Sequence, residues 1–150
     1  MKRTLKVIGS MTLILTLLFP PITAADDNVE KVYRYRSHVM EASSHHLKAL
    51  QNYVAGNLAL KDHVTAHVDA LMALSGMYLD LFPAGPQHPE STAKPLVWSD
   101  QRGFKQAHQY NRKRIMILKQ VDPTDMKTLK RAVNDVRMSC GDCHYYFKEK

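Results

Sequence analysis

Met126-Lys127-Thr128-Leu129-Lys130-Arg131-Ala132-Val133-Asn134-Asp135-Val136-Arg137-Met138-Ser139-Cys140-Gly141-Asp142-Cys143-His144-Tyr145-Tyr146-Phe147 holds the most regular apolar pattern of the chain. Met126, Leu129, Val133, Val136, Cys140, Cys143 and Phe147 step by three and four residues, the spacing that lines one face of an α-helix. The spacing predicts a helix over about Thr124 to Lys148. Asp122-Pro123 breaks the chain before it, and Asp122 or Thr124 serves as its cap.

The same period recurs upstream. A first helix is expected from about Asn28 to Tyr53, capped by Asp26 or Asp27, with Val29, Val32, Val39, Leu47, Leu50 and Val54 as its apolar stripe. Gly56-Asn57 supplies a stop. A second helix is expected from about Leu60 to Leu81, on Leu60, Val64, Val68, Leu71, Leu74, Tyr78 and Leu81, and Phe82-Pro83 ends it. A third is expected from about Leu96 to Lys119, starting near Pro95. Between the second and third, Pro83, Pro86, Pro89 and Pro95 mark one long connection. No segment alternates with period two. Four amphipathic helices with short joins and one longer loop make an all-α, antiparallel up-down-up-down four-helix bundle.

The chain of 150 residues begins as an export signal does. Lys2, Arg3 and Lys6 open it, an apolar run follows from Val7 to Phe19, and Pro20-Pro21-Ile22-Thr23-Ala24-Ala25 gives a break and small residues. The expected division is a signal over residues 1–25, cleaved after Ala24 or Ala25, and one domain over residues 26–150. The run is short for a membrane span and Gly9, Ser10 and the two prolines interrupt it, so a span in the mature form is not expected. Removing the signal takes three cations from a formal net charge of +7 and leaves about +4. That suits docking with an anionic protein. It is a poor basis for a nucleic-acid partner, and Arg112-Lys113-Arg114 reads as a solvated helix face.

Only two cysteines are present, within Cys140-Gly141-Asp142-Cys143-His144. A disulfide across so small a loop would restrain little of the unfolded chain. The pentapeptide is C-x-x-C-H, the attachment signature of haem c. Residues three apart on a helix share a face, so both sulfurs reach the vinyl positions of one porphyrin, and His144 turns its imidazole under the iron. A thioredoxin-type pair would need a preceding strand, and a zinc site would need further ligands nearby. Because Cys140 and Cys143 continue the inward stripe, one covalently attached haem is expected inside the bundle.

The chain resembles class II cytochromes c, the cytochrome c′ family. Tyr35-Arg36-Ser37-His38-Val39-Met40 resembles the first-helix segment of that family. Lys94-Pro95-Leu96-Val97-Trp98-Ser99-Asp100 with Phe104 resembles the entry to its third helix, and Val136 to Lys148 resembles its haem helix. The likeness covers essentially the whole mature chain. It implies that Met40 faces the distal side of the haem, where the thioether either coordinates the iron, as in low-spin members, or packs beside a five-coordinate iron. It also implies that Arg36, one turn before Met40, approaches a haem propionate; the other reading is an exposed cation. Lys148 departs from the arginine that many members carry one turn after the proximal histidine.

The expected function is periplasmic electron transfer between redox partners, without catalysis of its own. The alternative is a five-coordinate cytochrome c′ that binds nitric oxide or carbon monoxide. Family members often form homodimers through the first two helices, and the resemblance admits either a dimer or a monomer here. His63 and His67, four apart on the second helix, could pinch a metal ion, but no third ligand of suitable spacing is evident. They are read as exposed polar residues, as are His38, His45-His46, His88 and His108.

Overall fold

The structure, a computed structural model, describes residues 24–56, 58 and 60–150. The expected export segment lies outside the described residues, apart from Ala24 and Ala25. Five helices follow: α1 (Ala24–Val54), α2 (Asp62–Gly76), α3 (Leu96–Ser99), α4 (Gln101–Lys119) and α5 (Met126–Phe147), with a 3-10 turn over Tyr78–Leu81 after α2. The four long helices form a closed ring of neighbours. α1 packs on α2 and α5, and α4 packs on α2 and α5. This is the four-helix bundle that the periodicity predicts.

The ends of the helices differ from expectation for local reasons. Asp26 and Asp27 lie inside α1, which extends back through the good helix formers Ala24 and Ala25. Gly56, at a φ of +82°, closes α1 as expected. α2 stops at Gly76 and tightens into the 3-10 turn. Arg112, reaching across from α4, donates there to the Met72 carbonyl and the Ser75 hydroxyl. The third expected helix is two pieces. The Asp100 carboxylate accepts the Gly103 N–H at 2.9 Å and starts α4 anew. A Cβ on residue 103 would press on that carboxylate, so the cap as it stands favours glycine there. Asp125 caps α5 by accepting from Thr128 N. Asp122 instead folds the preceding turn, taking both the N–H and the hydroxyl of Thr124.

Two apolar clusters divide the bundle along its length. One joins Leu47, Leu50 and Tyr53 of α1, Val64, Val68 and Leu71 of α2, Ile115 and Leu118 of α4, and Leu129, Ala132, Val133 and Val136 of α5. The other joins Val97, Phe104 and Phe147, with Phe82, Trp98 and Cys143 against them. Phe82, Phe104 and Phe147 meet edge to face at centroid separations of 5.1 Å. The long proline-bearing connection ties onto the end of α5. Lys94 N donates to Phe147 O, Glu149 N donates to Thr92 O, and Ala93 and Lys148 form an isolated antiparallel bridge.

Several side chains read as solvated are not. Arg112 is half-buried in the contact just described, and Arg114 pairs with Asp135 and Tyr110, leaving Lys113 as the exposed member of that run. His108 reaches the Ser75 carbonyl, and His88 stacks on Tyr33 and pairs with Glu30. His46 and His67 meet between α1 and α2. His38, His45 and His63 are exposed as expected.

Leu129 has no exposed surface. Replacing it with alanine removes packing from all four long helices' shared core and is expected to cost about 2–5 kcal/mol. Chemical denaturation of Leu129→Ala beside the parent measures this; a loss under about 1 kcal/mol would contradict the packing described.

Candidate haem site

Cys140 packs against the first cluster and Cys143 against the second. The two thiols therefore stand one helical turn apart on α5, at the seam between the two clusters. Both are half-buried and unpaired. Burial raises both thiols, Cys143 to about 11, while the Asn111 amide pulls Cys140 partly back. Thiols held this far from ionisation are the opposite of an activated redox pair. Among the described residues no three His, Cys, Asp or Glu side chains converge to hold a metal ion.

His144 follows on the next residue of α5. Its ring is exposed, yet enough protein surrounds it that burial, then the Lys148 charge, lowers its pKa. The imidazole is thereby kept neutral, the form that ligates iron. The Lys148 N–H caps the carbonyl of His144, and Lys94 Nζ donates to the Tyr145 carbonyl, so the closing turn of α5 is held from the loop side.

Three residues that the sequence reading did not single out complete the surroundings. Asn111 on α4 is buried and donates to Ser139 Oγ at 3.0 Å and to Cys140 Sγ at 3.4 Å. Ser139 passes its own proton to the Val136 carbonyl at 2.7 Å. Tyr78, in the 3-10 turn, has its phenol raised to about 12 by burial, opposed by the Ser43 hydroxyl and reinforced by the Cys140 and Cys143 sulfurs. The signal for Asn111 was present in the sequence: it occupies an apolar phase of α4, between Phe104 and Ile115, and a polar residue there needs a partner.

Arg36 is not an exposed cation; only 6% of it is accessible. Its guanidinium donates to the Leu81 carbonyl at 3.2 Å and to Ser91 Oγ at 2.8 Å, and lies 4.9 Å from the centre of the Phe82 ring. It thus straps α1 to both ends of the long connection. No carboxylate pairs with it among the described residues, and burial lowers its pKa. A buried cation with neutral partners alone fits a site that receives an anion from a bound group. Met40, one turn further along α1, is half-buried, beside buried Val39 and three residues before buried Ser43.

The residues thus fit a porphyrin: two thiols on one face, a neutral imidazole after them, and a buried arginine in want of an anion. A family model described as Cytochrome C' matches residues 31–148. The chain belongs to the cytochrome c′ family. It is a haem protein, and like its family binds one covalently attached haem c. Cytochrome c′ of Alcaligenes xylosoxydans xylosoxydans is 29% identical over 123 residues, covering 81% of this chain and 95% of that one. Cytochrome c′ of Pararhodospirillum photometricum is 30% identical, covering 80% and 98%. Cytochrome c-554 of Cereibacter sphaeroides is 24% identical, covering 97% and 99%. Among solved structures, a nitric oxide complex of a variant cytochrome c prime from Alcaligenes xylosoxidans superposes with a TM-score of 0.74 at 28% identity, covering 81% of this chain and 95% of that one. A carbon monoxide complex of another variant also reaches 0.74, at 28% identity and with 81% and 96% coverage.

Attachment through both sulfurs leaves no free vinyl group on the haem. In Cys143→Ser the protein is expected to hold haem by one thioether or to lose it. Extraction with acidified solvent and the alkaline pyridine spectrum read this out. A parent whose haem extracts freely, with a spectrum showing unreacted vinyl groups, would exclude the assignment.

Proposed function

We propose that this chain is a periplasmic electron-transfer cytochrome, with haem held by Cys140 and Cys143 and its iron ligated by His144 and Met40. The observation that carries the reading is the position of Met40. It lies half-buried on α1, one turn from the buried guanidinium of Arg36, in a stretch whose inward residues are Val39, Met40 and Ser43. That wall offers a soft thioether and no acid or base, which suits reversible one-electron change better than proton-coupled catalysis. When bound, the haem supplies a ferric–ferrous couple. The protein's part is to tune it: a thioether ligand and an apolar wall favour the ferrous state and raise the potential.

Arg36 takes a propionate in this reading, which answers its lack of a carboxylate partner. The export signal and the matching family support a periplasmic location. Among the described residues, no helix is long and apolar enough to cross a membrane. The mature net charge of about +4 favours an anionic redox partner.

A second reading is binding of nitric oxide or carbon monoxide at the iron face beside Met40. The solved complexes of the Alcaligenes xylosoxidans relatives with these gases favour it. It requires Met40 to pack beside the iron without a bond.

Absorption and electron paramagnetic resonance spectra of the parent beside Met40→Ala separate the two. Coordination by Met40 predicts a low-spin parent, a high-spin variant, and carbon monoxide binding to the ferrous iron that is fast only in the variant. A parent that is already high-spin and binds carbon monoxide rapidly assigns the gas-binding role instead.

A further inference from the structure

Four of the eight histidines, His45, His46, His63 and His67, lie on facing stretches of α1 and α2, away from the cysteines. The bundle brings two of them together. His46 Nδ1 and His67 Nδ1 stand 2.9 Å apart, with ring centroids 5.2 Å apart and planes inclined at 57°. Both rings are half-buried in the seam between the helices. Two ring nitrogens this close are joined either by one shared proton or by one metal ion. Nitrogens bound about 2.0–2.1 Å from a common tetrahedral zinc lie roughly 3.3 Å apart, so a few tenths of an ångström of opening admits the ion between these two.

We propose that His46 and His67 form a chelating site for a divalent transition-metal ion of the zinc class, bridging α1 and α2. Each imidazole offers Nδ1 to the metal and keeps its proton on Nε2. The two helices hold both rings in place before the ion arrives, so little side-chain freedom remains to be lost on binding. No third protein ligand converges on the pair among the described residues. The remaining positions belong to water. His63 stands one turn before His67 on α2 and is exposed. A metal bound here crosslinks the two helices and stabilises the folded chain by mass action.

The test is titration of the haem-loaded protein with zinc chloride, read by calorimetry and by thermal unfolding. In that form the cysteines are thioethers and His144 is on iron, so none of them competes; the visible spectrum reports haem loading separately. One zinc per chain is expected, together with a rise in the unfolding temperature. His46→Gln and His67→Gln should each weaken binding by about tenfold or more and abolish the thermal shift, while His38→Gln retains both. Nuclear magnetic resonance of the unaltered protein guards against a variant that misfolds: the His46 and His67 ring signals should move first. Absence of zinc binding, affinity unchanged in either variant of the pair, or first movement of other histidine signals would overturn the site.

Discussion

Attachment of two sulfurs on one helix to one flat ring is the constraint from which the rest of the structure follows. With Cys140 and Cys143 as the proposed attachment points, it demands that the two share a face and that this face look inward. In the proposed site it also demands that the helix end be held firmly enough for His144 to reach the iron. α5 meets these demands by giving its first turns to a close-packed core, Leu129 to Val136, and its last turns to the site. Cys140 and Cys143 then fall where one apolar cluster ends and the other begins. The far end of the bundle supplies the larger apolar cluster, and the near end carries the cysteines and the aromatic cluster beside Cys143.

The near end is built from polar groups set at apolar positions. Arg36 and Ser43 occupy the inward phase of α1, and Asn111 does so on α4. Each has a reason in its surroundings. Arg36 holds the long connection against α1, Asn111 holds Ser139 and the Cys140 sulfur, and Ser43 donates to the Val39 carbonyl. A core made for stability alone would place leucine there, as the far end does. Among the described residues, most of the buried polar side chains lie toward the end that carries the cysteines.

The loop between the 3-10 turn and α3 has a part in this arrangement that its composition conceals. Its prolines limit how it can fold, and its backbone donors and acceptors then meet the end of α5. Arg36, Trp98 and the stacked pair of Tyr33 and His88 fasten it to the bundle. The connection thereby becomes a wall of the site rather than a tether between helices.

The sequence by itself determined the helices, the bundle and the C-x-x-C-H segment on the inward face of the last helix. Apolar period and a contiguous C-x-x-C-H are local properties, and local spacing on a helix fixes which side chains share a face. Helix ends were legible only in part, since Asp100 and Asp125 compete for backbone N–H groups with equally plausible neighbours. Tertiary structure alone decided that Arg36 is buried with neutral partners, that Asn111 reaches Cys140, and that His46 meets His67 rather than His63 pairing with it. Those contacts join residues 21 to 55 positions apart. Only the docking of one helix on another sets such distances, and no repeat along the chain encodes them.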